Sequence, residues 1–144
     1  MIVKHNLILR IVTKFLVPLI FLFALYVQFH GDFGPGGGFQ AGVIFSAGII
    51  LYALIFGVES AKKVIPNNIL RLLASLGVLI YAGTGVASLL LGGNYLEYGV
   101  LASSQIAGQH LGILLIELGV GITVMSIMLI IFFAFADRAR PESE

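Results

Sequence analysis

The 144-residue sequence contains no cysteine and no tryptophan, and only 10% of its residues are charged. Without cysteine, neither a disulfide nor a thiolate metal site can form. Without tryptophan, an aromatic belt at a membrane interface must consist of tyrosine and phenylalanine. A soluble domain carries about 25% charged residues. The scarcity of charge, with 59% hydrophobic residues and a mean hydropathy of +1.07, therefore predicts an all-α integral membrane protein.

Four apolar stretches approach or exceed the ~20 residues that a helix needs to cross a bilayer. Within a single membrane domain they are predicted to cover residues 11–29, 39–57, 70–91 and 109–135. The basic start of the first stretch resembles a signal peptide, but its apolar run is too long and no small-residue cleavage site follows. We therefore expect it to be a retained transmembrane helix.

The basic residues predict the orientation of these spans. All eight lie on one side of a four-span arrangement: Lys4, Arg10, Lys14, Lys62, Lys63, Arg71, Arg138 and Arg140. Cytoplasmic loops carry an excess of lysine and arginine. Both termini are therefore predicted to be cytoplasmic, and the links between spans one and two and between spans three and four are predicted to lie outside.

The first of these outer links lies within a glycine-rich segment, residues 30–42, that contains six glycines, His30, Asp32 and Pro35. Two interpretations remain open. The segment could be a tight connection between helices, or backbone at membrane depth, which is tolerated only where protein or water covers it. Likewise, His30 and Asp32 could gather cations or protons at an entrance, or could be solvated loop residues.

Glu117 is the most informative ionisable residue, because an apolar stretch of the fourth span surrounds it. A carboxylate in a membrane costs about 2.5–3.5 kcal/mol on insertion scales and marks a functional site by default. His110 lies seven residues earlier, on the same helix face at about 10 Å. The pair predicts a water-linked proton or cation relay. Alternatively, Glu117 is a protonated hydrogen-bonding group and His110 an interfacial side chain.

Several classes of function are excluded or disfavoured. No link is long enough to form a catalytic domain, and no phosphate-binding G-x-x-x-x-G-K-[ST] loop is present. His5, His30 and His110 lack the spacing of metal ligands. We therefore expect neither an enzyme nor a bound metal or cofactor, and no nucleic-acid partner. Four helices with one buried carboxylate are more typical of one piece of a larger membrane assembly.

The segment His30–Gly42 resembles the G-H-x-x-P-G-G-G-F-x-x-G signature of the B subunit of multisubunit sodium/proton antiporters, the Mrp or Mnh family. Asp32 stands where that signature has histidine. The stretch Tyr98–Leu101 and the stretch from His110 to Glu117 are also similar to family members. The resemblance covers nearly the whole chain.

This resemblance implies a small multi-pass subunit of a hetero-oligomer in the cytoplasmic (inner) membrane that exchanges Na⁺ and H⁺. Its larger partners would resemble the antiporter subunits of respiratory complex I. The chain would contribute to assembly and to part of the ion or proton path, the latter through Glu117, His110, His30 and Asp32. The structural motif would comprise Pro35, Gly36, Gly37, Gly38, Phe39 and Gly42. The alternative is a structural subunit of an ion-pumping membrane-bound hydrogenase or respiratory-type complex, without its own ion path.

The predicted orientation can be tested with single cysteines, because the chain has none of its own. We expect an impermeant thiol reagent to label Asp32→Cys and Glu97→Cys variants in intact cells. A Lys63→Cys variant should react only after the cells are opened. Labelling of Lys63→Cys from outside would show that the predicted topology is wrong.

Overall fold

A computed structural model describes residues 6–31, 33–34 and 36–139. Asp32 and Pro35, which the sequence singled out, lie outside the described residues. The described part is all-helical and contains no strand. Its elements are α1 (Leu7–Phe29), α2 (Gly38–Phe56), α3 (Val58–Val64), α4 (Asn67–Leu90), a 3-10 helix (Tyr98–Leu101) and α5 (Gln105–Arg138).

The four long helices, α1, α2, α4 and α5, are each long and apolar enough to cross a membrane, which confirms the predicted helical class. Helix α5 has 34 residues and extends beyond the predicted fourth span in both directions. At about 1.5 Å per residue it is roughly 50 Å long, well above the ~30 Å hydrocarbon core. Such a helix must tilt or protrude from the bilayer.

The short helix α3 lies between the second and third predicted spans, where the sequence analysis predicted no helix. It begins after Gly57, whose φ of 99° is left-handed, and it ends at Val64, two residues before Pro66. Ala61 on α3 is fully buried, and Lys62 forms an ion pair with Asp137 on α5. The link is therefore packed against the end of the bundle.

Helix α5 is the central element of the bundle. It packs extensively against α4 on one side and α2 on the other, and α1 packs mainly against α2. The helices therefore follow the spatial order α1–α2–α5–α4. One end of the bundle, the glycine end, carries the glycine-rich segment and the connection from α4 to α5. The opposite end, the basic end, carries α3, the start of α1 and the end of α5.

Glycines allow these helices to approach closely. A methyl group added at Gly42 on α2 would lie 2.6 Å from the carbonyl oxygen of Gly121 on α5. On the other side of α5, one added at Gly77 of α4 would lie 2.7 Å from the carbonyl oxygen of Gly119. Backbone therefore meets backbone at both interfaces, as small residues permit in lipid.

At the basic end, larger side chains fill the space between the helices. The buried cluster there consists of Ala53, Ala61, Leu70, Leu129 and Phe133. The Lys62 ammonium also lies 5.8 Å from the centre of the Phe133 ring. The bundle thus combines a conventional apolar core at one end with glycine contacts nearer the other.

The connection from α4 to α5 folds back onto glycines. Methyl groups added at Gly85 and Gly112 would collide with the rings of Tyr95 and Tyr98, respectively. Glu97 accepts a hydrogen bond from the backbone N–H of Asn94 at 2.7 Å, which closes the turn. Burial raises the pKa of the Tyr98 phenol, and electrostatic repulsion from Tyr81 raises it further. The phenol therefore stays neutral at physiological pH. The connection is therefore packed against the ends of α4 and α5.

The contact between Gly77 and Gly119 predicts a stability effect. Gly77→Ala places a methyl group against backbone atoms that cannot rotate away, so α4 and α5 must separate. Overpacking of this kind costs about 1–3 kcal/mol. We expect a lower melting temperature for the purified protein. The matched control is Gly83→Ala on the same helix, where no atom lies within 4 Å of the added methyl group. Equal melting temperatures for both variants would contradict the close packing.

Candidate functional site around Glu117

Glu117 lies in the part of α5 that packs against the glycine end of α2. Its side chain is half-buried, and the neighbouring Gly119 and Gly121 are buried. Because α5 is central, residues on this face of the helix meet other protein segments. A carboxylate at this position is therefore shielded, at least in part, from hydrocarbon.

Three glycines of the glycine-rich segment surround Glu117. A methyl group added at Gly31 would lie 2.5 Å from Oε2 of Glu117 and even closer to Oε1. One added at Gly37 would lie 2.7 Å from Oε1, and one at Gly38 would collide with the Glu117 backbone carbonyl. The missing side chains thus provide the space that the carboxylate occupies. The segment packs onto α5 and is more than a connection between helices.

The consecutive glycines serve two different purposes. Gly36 has a φ of +126°, a conformation that side chains strongly disfavour. Gly37 has a φ of −173°, which is extended backbone open to any residue, so its requirement for glycine comes from the approach of Glu117. Gly38 is the first residue of α2 and is likewise required for close approach.

The two histidines lie at the exposed surface. His30 stacks on Tyr26, with ring centroids 4.6 Å apart, and meets Phe33 edge-on. It immediately precedes Gly31, so it stands at the rim of the space around Glu117. His110 is exposed on α5, about two helical turns before Glu117.

Other residues of the predicted motif do not meet at this carboxylate. The Phe39 side chain is 59% exposed, on the outside of the bundle. Gly42 packs against Gly121, one turn further along α5 than Glu117. The described part of the site near Glu117 therefore consists mainly of backbone.

The sequence reasoning missed one polar residue in this region. Gln28 on α1 is only 5% exposed, and its Oε1 lies 2.6 Å from the position that a Cβ of Gly121 would occupy. The signal was present, because an amide inside an apolar span has to be accommodated by protein or water. Its place beside α5, however, depends on how α1 crosses the bundle.

Among the described residues, the chemistry available here is that of the Glu117 carboxylate in a narrow backbone enclosure. Such a group can exchange a proton or accept a monovalent cation. Among the described residues, no group of three or more histidine, cysteine, aspartate or glutamate side chains could hold a metal ion.

Comparison with known proteins places the chain among membrane subunits of one family. A family model described as "Domain related to MnhB subunit of Na+/H+ antiporter" matches residues 8–130. Proteins named "Putative antiporter subunit mnhB2" from Staphylococcus aureus strains Newman and JH1 are each 36% identical over 132 residues, covering 85% of this chain and 93% of the relative. The family match spans most of the sequence and includes all of the residues around Glu117. The chain belongs to the MnhB family.

Proposed function

We propose that this protein is a small subunit of a multisubunit Na⁺/H⁺ antiporter and that Glu117 forms part of its ion or proton path. The observation that carries the proposal is the enclosure of the Glu117 carboxylate by Gly31, Gly37 and Gly38. The names of the Staphylococcus aureus relatives support the antiporter assignment.

The enclosure suits a group that must change its protonation or bind a cation. An enclosing side chain would exclude water and ions, whereas glycine backbone presents polar groups and leaves space. His30 at the rim and His110 on the same helix as Glu117 carry imidazole groups, a side-chain type suited to passing protons. The proposed path enters at the glycine end past these histidines and reaches Glu117.

The other subunits of the assembly are proposed to include the complex I-like antiporter subunits. The protein would lie in the cytoplasmic membrane with the basic end inside. Arg10, Lys62 and Arg138 lie on elements that meet at that end, which supports the orientation. The outer face of α1 exposes large apolar side chains such as Phe15 and Phe23, which suits contact with lipid or a neighbouring subunit.

The second candidate is a structural subunit of a membrane-bound hydrogenase or respiratory-type complex, without an ion path. The contacts of Gly38 and Gly42 with the α5 backbone favour this alternative, because they position helices without any need for titration. The two candidates differ in what they require of the Glu117 carboxylate.

The Glu117→Gln substitution separates them. It preserves the shape of the side chain and much of its hydrogen bonding but removes titration. We expect the complex to assemble normally and its Na⁺/H⁺ exchange in inverted vesicles to fall by about a hundredfold or more, the typical effect of losing a positioned proton-transfer group. Glu117→Asp should retain part of the exchange. Wild-type exchange by Glu117→Gln across the pH range would leave only the structural role.

The Gly37→Val substitution tests the enclosure itself. The new side chain overlaps Oε1, which can swing aside at the end of a flexible stem. We therefore expect the complex to assemble but to lose most of its exchange. The control is Gly34→Ala in the same segment, where the nearest atom to the added methyl group is 3.9 Å away.

A double substitution sharpens this test. If Gly37→Val acts through the carboxylate, combining it with Glu117→Gln should lower exchange no further than Glu117→Gln alone, because coupled residues are not additive. Additive losses would show that Gly37 acts independently of Glu117.

A further inference from the structure

We propose that a crevice between α1, α2 and α5 holds water on the Gln28 amide. This water would extend the polar region around Glu117 by about one helical turn toward the centre of the bundle. The existence of the water site stands on its own geometry, whereas its role in transport rests on the proposed function.

The first support is the state of the Gln28 side chain. It is only 5% exposed, and its Nε2 is buried without a hydrogen-bond partner among the described residues. A buried donor left unsatisfied costs about 1–3 kcal/mol. Buried polar groups in proteins almost always find a partner, either protein or ordered water.

The second support is the space beside it. A crevice of about 260 Å³ is bounded by Gln28 and by apolar or small residues that include Phe45, Leu118, Gly121 and Met125. A water molecule occupies about 30 Å³ of liquid. The crevice therefore has room for several waters. A lipid chain entering it would offer the Gln28 amide no hydrogen bond, whereas water can donate one to Oε1. Nε2 is shielded from the crevice and meets this water once the amide turns toward it.

The third support is continuity with Glu117. Gln28 Oε1 lies against Gly121, which follows Glu117 by one turn of α5, or about 6 Å. A methyl group added at Gly121 would also lie 3.1 Å from the carbonyl oxygen of Gly38, and Gly38 itself packs on the Glu117 backbone. The Gly38 carbonyl oxygen and Gln28 Oε1 thus form a row of polar atoms between Glu117 and the crevice.

Met125 provides a built-in reporter, because it lines the same crevice and its thioether is oxidised by hydroxyl radicals formed from nearby water. In radiolytic footprinting of the intact complex, we expect Met125 to be oxidised at least about threefold faster than Met128, which faces outward on α5. Gln28→Leu should reduce Met125 oxidation to the level of Met128. Gln28→Glu, which keeps a water-binding group, should preserve it.

Gln40→Leu is the matched control, because it makes the same chemical change at an exposed glutamine on α2. It should leave Met125 oxidation unchanged. If Gln28→Leu fails to assemble, Gln28→Met preserves the length and flexibility of the side chain and replaces it in the test. Equal oxidation of Met125 in the wild type and the Gln28 variant, or wild-type oxidation no faster than that of Met128, would overturn the proposal.

The transport arm uses the same complexes. We expect Gln28→Leu to lower exchange severalfold and Gln40→Leu to leave it unchanged. If Gln28→Leu loses Met125 oxidation but keeps full exchange, the water site exists and its proposed role in transport is wrong. A failure of the proposed function appears separately, as wild-type exchange by Glu117→Gln.

Discussion

A carboxylate in an apolar helix is the constraint on which this structure depends. Leaving it against hydrocarbon would cost several kcal/mol, so other polar or protein groups must meet it. This protein meets the Glu117 carboxylate with backbone from Gly31 and Gly37 and places Gly38 against the backbone of the same residue. The close fit requires α2 to begin beside the carboxylate and the glycine-rich segment to turn back over it.

Close packing at two glycines accounts for the central position of α5. Helices in lipid gain little from the hydrophobic effect between them and instead associate through close van der Waals packing. Because Gly119 and Gly121 have no side chain, α4 approaches α5 closely at Gly119 and α2 approaches it closely at Gly121. Buried hydroxyls such as those of Ser46 and Ser126 bond to carbonyls of their own helices and need no partner across the interface. Glycine and small polar residues thus contribute much of the packing between α5 and its neighbours.

Much of this architecture could be read from the sequence, because its signals are local or cumulative. Hydrophobic length alone predicted the four long helices, and an isolated carboxylate in an apolar stretch marked Glu117. The short helix α3 was missed because its polar residues look like a link, and only the burial of Ala61 shows that it packs. The burial of Gln28 beside α5 was missed because a single amide near the end of a span has no distinctive spacing.

The sequence by itself determined the helical class, the positions of the apolar stretches and the glycine-rich composition of the segment between the first two. Chain length against bilayer thickness and the conformational freedom of glycine are sufficient for those conclusions. Only the tertiary structure decided that Gly31, Gly37 and Gly38 surround Glu117, which lies some 80 residues further along the chain. Contacts between residues so distant in sequence depend on the angles and distances at which the helices cross. Side-chain packing throughout the bundle determines those angles and distances.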